Sequence, residues 1–203
     1  MTTNSALRLL AIFFSLVLIS GCGTGIYREG GDEYGYWHLD GKLGIRSPKG
    51  ADSVSINWKQ CGNRYQIRLN SLIGTHIASI DGEPAGVTAQ FDDRGTLQAD
   101  SAEALIEAEL GWNLPVGALQ HWLRGKPDPG LSQQLQRNSD GTIKSLSQGE
   151  WTVDYLRHTS SEPSIKNIEK LPEKLRLKRS DSTLTLLISN WRLGLSPANC
   201  LDN

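Results

Sequence analysis

The chain has 203 residues, which is the size of one domain with a real core, and its formal net charge is −1. It contains no run of basic residues, so a nucleic acid is a poor candidate partner, because phosphate recognition needs clustered Lys and Arg. Aromatic residues make up only 7%, yet six of them are Trp, the side chain best suited to lining apolar surfaces.

Residues 1–21 have the layout of a secretory leader, in which Arg8 precedes an almost unbroken apolar run, 9–19. This run is too short for a comfortable membrane span. We therefore expect the leader to be removed and the mature chain to reach an oxidising compartment. There Cys61 and Cys200 could pair or remain as two thiols, and the cysteine spacing predicts no metal site.

The leader ends in Ile19-Ser20-Gly21-Cys22, which resembles the bacterial lipobox. The resemblance implies that Cys22 receives S-diacylglycerol and N-acyl groups as its lipid attachment, with no other cofactor. The next residue, Gly23, is not the Asp that retains such lipoproteins in the inner membrane, so the outer membrane is implied. The alternative is an ordinary signal peptide followed by a coincidental cysteine. Residues 22–36 read as a Gly-rich tether, with a helical turn near Tyr34–Trp37.

Alternation of apolar and polar residues predicts a series of antiparallel strands from Trp37 onward. The first three have one apolar and one charged face, which is typical of a meander that is solvated on one side. Similar strands follow through Phe91 and Ala99, and again through Tyr155, Leu177 and Ile188. The segment 131–137 is weakly patterned, and we expect the C-terminal tail, 196–203, to fray.

One predicted turn is unusually apolar, because Leu72 and Ile73 stand side by side before Gly74. The simpler expectation from sequence is that both side chains fold back into the core. The alternative is a loop that contacts a membrane or an apolar cargo.

Two short helices are predicted in the middle of the chain. Asp100 and Glu103 have capping-box spacing, and Gly111 is placed to end the first helix. The second lies in the segment 111–127, here called the lid segment, whose apolar residues recur at helical spacing: Val116, Leu119, Trp122 and Leu123. Such a face indicates either an ordinary core helix or a lid over a cavity.

Together these elements predict a mainly β, α+β domain over residues 37–195, with about nine to eleven strands in one curved sheet and a small helical layer. Local signatures of catalysis are missing: the sequence has no Gly-x-Ser-x-Gly, no P-loop and no clustered His ligands. We expect His121 to be a solvated or capping side chain on the polar flank of the lid helix.

The mature chain resembles the LolB family of outer-membrane lipoprotein receptors nearly from end to end. The resemblance depends on the order and spacing of several short motifs: Gly41-Lys42-Leu43, Trp58, Arg64-Tyr65, the stretch 100–105, the stretch 111–127, the stretch 151–155, Leu171-Pro172 and Asn190-Trp191. It implies an incomplete β-barrel closed by a helical lid, with an apolar cavity that receives the acyl chains of a lipoprotein. The implied partners are the periplasmic carrier LolA, acylated cargo and outer-membrane lipid, for a monomer that faces the periplasm.

Assigning inward faces by strand parity gives a predicted acyl-chain cavity. Its lining is Leu43, Ile45, Ile56, Trp58, Ile67, Leu69, Ala78, Val87, Ala89, Leu105, Leu119, Trp122 and Leu123. The resemblance also matches Ile73 to an exposed apolar residue of the family's membrane-insertion loop, which here is Leu72, Ile73 and Gly74. Leu72 stands where the family often has Pro.

The main prediction is therefore a lipid-binding transfer protein without catalysis and without a metal. Two alternatives stay open at this point. The chain could be an assembly lipoprotein that uses its sheet as a protein-binding surface, or a periplasmic hydrolase on a β scaffold.

Overall fold

The computed structural model describes residues 35–159, 170–194 and 200–201. The predicted leader, the acylation site Cys22 and most of the tether lie outside the described residues, as does most of the predicted tail. Eleven strands form a single antiparallel sheet: β1 (Tyr36–Ser47), β2 (Gly50–Cys61), β3 (Arg64–Ser71), β4 (His76–Glu83), β5 (Gly86–Phe91), β6 (Gly95–Ala99), β7 (Gln133–Arg137), β8 (Ile143–Gln148), β9 (Trp151–His158), β10 (Pro172–Arg179) and β11 (Ser182–Leu193).

The sheet is an incomplete, curved barrel, as predicted. Its spatial order is β6-β5-β4-β3-β2-β1-β11-β10-β9-β8-β7, so β6 and β7 are the two free edges. The first and last long strands, β1 and β11, pair at the centre and join the two arms of the sheet. Most other neighbours are consecutive hairpins, which is why the alternation in sequence predicted them well.

Two helices, α1 (Ala102–Leu110) and α2 (Val116–Trp122), connect β6 to β7. They therefore join the two free edges and pack on the apolar face of the sheet, where α1 and α2 contribute buried residues to the same core as the strands. This is the helical layer expected from the sequence.

Two local expectations were wrong, and one weakly patterned segment forms a strand. The strand β1 begins at Tyr36, so the helical turn expected near Tyr34–Trp37 is not present over its described residues. The segment 131–137 contains the edge strand β7. The tail does not fray at Cys200, because this residue is buried and forms a disulfide with Cys61.

The disulfide settles the open question about the two cysteines. The Cα atoms of Cys61 and Cys200 are 5.8 Å apart, and their sequence separation is 139. The cross-link holds the end of the chain against the turn between β2 and β3.

Candidate functional site

The concave face of the sheet and the undersides of the helices form one apolar interior. All thirteen residues predicted to line a cavity are buried in this single cluster: Leu43, Ile45, Ile56, Trp58, Ile67, Leu69, Ala78, Val87, Ala89, Leu105, Leu119, Trp122 and Leu123. They pack with further large side chains, including Trp37 and Phe91. The structure thus brings the predicted residues together, while their role in binding acyl chains stays a prediction.

The strand register explains why these side chains share a face. Ile56 lies opposite Leu69, and Trp58 lies opposite Ile67, so large apolar groups stack across neighbouring strands. The residues predicted to face inward on each strand are the ones that the structure buries. A one-residue slip would have turned the whole set to solvent.

The apolar side of the lid segment faces the sheet. Val116, Leu119 and Trp122 of α2 are fully buried, with 0% of each side chain exposed. Helix α2 follows Pro115, and α1 ends at Gly111, whose left-handed backbone (φ 69°) directs its N–H to the carbonyl of Glu107 at 3.0 Å. These two residues set the sharp connection between the helices.

The start of α1 differs from the predicted capping box. Ser101, not Asp100, is the N-cap, and its hydroxyl accepts a 3.2 Å hydrogen bond from the backbone N–H of Ala104. Glu103 instead accepts a 2.6 Å hydrogen bond from the backbone N–H of Gly117. The acidic residue of the expected box therefore ties α1 to the first turn of α2.

Buried amide side chains hold the lid segment to one arm of the sheet. Gln60, on β2, donates to the side-chain carbonyl of Gln120 at 3.0 Å and accepts from the indole of Trp58 at 3.0 Å. Gln60 is fully buried, and Gln120 is 8% exposed.

A second set holds the lid segment to the other arm. The indole of Trp122 donates to Gln148 on β8 at 2.8 Å, and the hydroxyl of Tyr155 on β9 donates to the carbonyl of Trp122 at 3.0 Å. The lid segment thus bridges the two arms through satisfied polar contacts inside an apolar core. Sequence reasoning missed Gln60, Gln120 and Gln148, because nothing local marks a Gln such as Gln60, which bonds a partner 60 positions away.

The histidines give no support to a local catalytic site. His121 was expected to be a solvated or capping side chain; it is not solvated, because only 7% of it is exposed and its side of α2 is also covered. His38 lies 3.5 Å from Asp40, which is the kind of pair that an enzyme would use. However, the Asp40 carboxylate is engaged by Arg192 at 2.8 Å and Asn57 at 2.5 Å, which gives it a structural role.

The apolar turn between β3 and β4 projects into solvent. Leu72 is 55% exposed and Ile73 is 92% exposed, so the simpler expectation that both return to the core was wrong. The turn is closed by its own backbone, with the N–H of Gly74 donating to the carbonyl of Ser71 at 3.0 Å. An ordered turn that presents two large aliphatic side chains is a candidate contact surface.

Within the described ranges, no helix is long and apolar enough to cross a membrane. The same residues contain no group of three or more His, Cys, Asp or Glu side chains that could hold a metal ion.

Comparison with known proteins agrees with this architecture. Residues 35–191 match the family model described as "Outer membrane lipoprotein LolB". Relatives with the name outer-membrane lipoprotein LolB include one from Pseudomonas fluorescens, 33% identical over 92% of this chain and 96% of the relative. Another, from Pseudomonas putida, is 38% identical over 77% of this chain and 74% of the relative.

Solved structures show the same fold at low sequence identity. A LolA superfamily protein from Nitrosomonas europaea has a TM-score of 0.52 at 10% identity, over 83% of this chain and 90% of the other. A protein of the DUF1329 family from Desulfovibrio piger has a TM-score of 0.53 at 9% identity with the same coverage. The family match spans most of the chain, and the fold agrees with it, so the chain belongs to the LolB family of outer-membrane lipoproteins.

Proposed function

We propose that this protein is a receptor in lipoprotein localisation, held at the outer membrane through acylated Cys22 and facing the periplasm. It accepts lipoproteins from a LolA carrier by binding their acyl chains between the concave sheet and the lid segment. It then places the lipoprotein in the outer membrane. No catalytic step and no cofactor beyond the lipid at Cys22 are needed.

The observation that carries this proposal is the continuous apolar interior shared by the sheet and the two helices. Its lining is almost entirely aliphatic and aromatic, which suits acyl chains without directional contacts. The polar contacts inside it, such as the hydrogen bond from Trp122 to Gln148, are few, and they would break when the lid segment lifts.

The energetics explain why transfer needs a protein. Three acyl chains of about fifteen methylenes each, at roughly 0.8 kcal/mol per methylene, would cost on the order of 35 kcal/mol to expose to water. Free diffusion across an aqueous compartment is therefore excluded. A receptor must hold the chains better than the carrier does, but less tightly than a bilayer.

The test is acceptance of cargo by a soluble form, residues 23–203, after mixing with loaded LolA carrier. We expect an acylated lipoprotein to leave the carrier and to co-purify with the soluble form. The matched control is the same cargo with its acylated cysteine replaced by Ser, which should not co-purify.

Two outcomes would contradict the proposal. Failure of the acylated cargo to transfer would remove the interior as its binding site. Equal recovery of acylated and unacylated cargo would mean that the chain recognises protein surface, as the assembly-lipoprotein alternative requires.

A further inference from the structure

The convex face of three adjacent strands carries a concentration of cations that is not visible as a run in the sequence. The central strand β11 lies between β1 and β10, and its outward residues nearest its start, Thr183, Thr185 and Leu187, are uncharged. The registers place three cross-strand rows side by side: Arg46, Thr183 and Lys178; Gly44, Thr185 and Arg176; Lys42, Leu187 and Lys174. We call the five cations of these rows the cationic tract.

Most of these cations have no ion-pair partner in the part of the chain that the structure describes, and the nearest carboxylate in the register is Asp154 on β9, directly opposite Arg176. Lys178 pairs with the carboxylate of Asp154 at 3.0 Å. Among the described residues, no carboxylate forms an ion pair with the other four cations of the tract. Because the whole chain has a net charge of −1, four unpaired cations on three strands make a strongly asymmetric surface.

The tract also has a shape that suits a phosphate. Arg46, Arg176 and Lys178 line one groove of about 500 Å³, together with three hydroxyl-bearing residues, Ser53, Thr183 and Thr185. One carboxylate, Asp52, also lines the groove, and it accepts a hydrogen bond from the indole of Trp112. Gly44 lies on β1 opposite Thr185, and the absence of a side chain there leaves the groove open. Guanidinium and hydroxyl donors around an open floor are a typical arrangement for binding phosphate oxygens.

The composition of the tract favours a lipid surface over a protein partner. Protein interfaces are centred on Trp, Tyr and Met and are depleted of Lys. The tract has no aromatic residue in its three rows, and three of its five cations are Lys. Flexible lysines at a fluid array of phosphates match the way basic surfaces bind anionic membranes.

The position of the cationic tract also favours a membrane surface as its partner. Arg46 lies just before the turn between β1 and β2, and the exposed Leu72–Gly74 turn follows β3 at the same end of the sheet. One membrane surface can therefore meet the apolar turn and the cationic tract together.

We propose that the cationic tract binds the phosphates of anionic phospholipid headgroups and so fixes how the domain faces the membrane. This inference rests on the proposed function only in placing the chain at a membrane. It adds a second, electrostatic contact to the apolar turn.

The experiment measures binding of the unacylated form, residues 23–203, to two kinds of vesicle. One is phosphatidylcholine alone, and the other is phosphatidylcholine with phosphatidylglycerol at about four to one. The test variant is Arg46→Gln with Arg176→Gln. The matched control, Arg64→Gln with Arg137→Gln, removes the same charge from exposed positions on β3 and β7. A charge-preserving variant, Arg46→Lys with Arg176→Lys, checks that charge is the cause.

We expect the unmodified chain to prefer the anionic vesicles and to lose this preference as salt rises. The test variant should bind them on the order of tenfold more weakly. The control and the charge-preserving variant should stay within about threefold. Equal binding to both vesicles, or equal loss in the test and control variants, would overturn the proposal.

Cargo acceptance separates this inference from the proposed function. Without vesicles, the test variant should take acylated lipoprotein from the carrier as the unmodified chain does, because the tract lies on the face opposite the apolar interior. Loss of vesicle binding with intact acceptance supports the tract. Failed acceptance by the unmodified chain counts against the proposed function alone.

Discussion

The indole N–H of Trp122 donates a 2.8 Å hydrogen bond to the side-chain carbonyl of Gln148, and both side chains are buried. Trp122 belongs to the lid segment and Gln148 to β8, so this bond joins the helical layer to one arm of the sheet. Gln148 also bonds the backbone of Asp128 and Leu131, which fixes the chain just after the lid segment. One amide thus satisfies four polar groups.

Replacing Gln148 by Leu should destabilise the fold by about 2–4 kcal/mol, because the buried indole N–H of Trp122 and the backbone groups lose their partner. Urea denaturation followed by Trp fluorescence measures this loss. The control is Gln136→Leu, on the exposed face of β7, where the expected change is below about 0.5 kcal/mol. A Gln148→Leu variant as stable as this control would show that the bond contributes nothing.

Removing the disulfide with Cys61→Ser and Cys200→Ser should lower the free energy of unfolding by about 2–5 kcal/mol. The physical reason is that the cross-link closes a long loop, between cysteines with a sequence separation of 139, and restricts the unfolded chain. Guanidinium denaturation with and without reductant measures the effect. The double variant should not respond to reductant, whereas the unmodified protein should fall to the same stability; an unmodified protein that ignores reductant would contradict the prediction.

Substituting Ile73 by Glu should leave folding and acceptance from the carrier intact but impair insertion of cargo into liposomes. Ile73 is 92% exposed, so the change removes no core contact and adds only the cost of placing a charge in lipid. The comparison variant is Leu156→Glu, which alters another exposed aliphatic residue on β9. Unchanged insertion with Ile73→Glu would remove this turn from the mechanism.

Stability should fall as pH drops through about 6.5, because burial lowers the pKa of His38 below its usual value of 6.5. Below that pH the unfolded chain binds a proton that the folded chain does not, so protonation favours unfolding. Neighbouring Asp40 does not titrate in this window. Burial alone would raise its pKa, but hydrogen bonds from Arg192, Asn57 and Asn190 outweigh it and lower the pKa.

Denaturation at about pH 7.5 and pH 5.5 measures this dependence. The variant His38→Gln should flatten it, although part remains because burial also lowers the pKa of His158. A pH dependence that is identical in the variant would assign the effect to other groups.

Regular alternation made most of the sheet predictable. Strands such as β2 and β3 bury every second residue, so the pattern in sequence is the pattern of burial. The edge strand β7 was missed because Leu135 is its only apolar residue and its other side chains are exposed. Such a strand is specified by its partner β8 and not by its own sequence.

The candidate site was predictable only in its apolar part. The spacing of apolar residues along a strand or helix predicts which face is buried. Gln60 and Gln148 have no such pattern, and only the folded structure places them against Gln120 and Trp122. The exposure of Ile73 was implied by the family resemblance but not by the local pattern, since an apolar pair in a turn usually returns to the core. The cationic tract can be identified only from the strand register, because its members come from two segments that are distant in sequence.

The open seam between β6 and β7 has a mechanical consequence. A barrel closed all round by backbone hydrogen bonds has a fixed girth. Here the segment joining the two edges is the pair of helices itself. Spreading the two edges therefore also moves the helices that join them. Widening of the sheet and movement of the lid segment are then a single coupled motion. Under the proposed function, the same chain would widen its apolar interior to accept a lipoprotein with more or bulkier acyl chains.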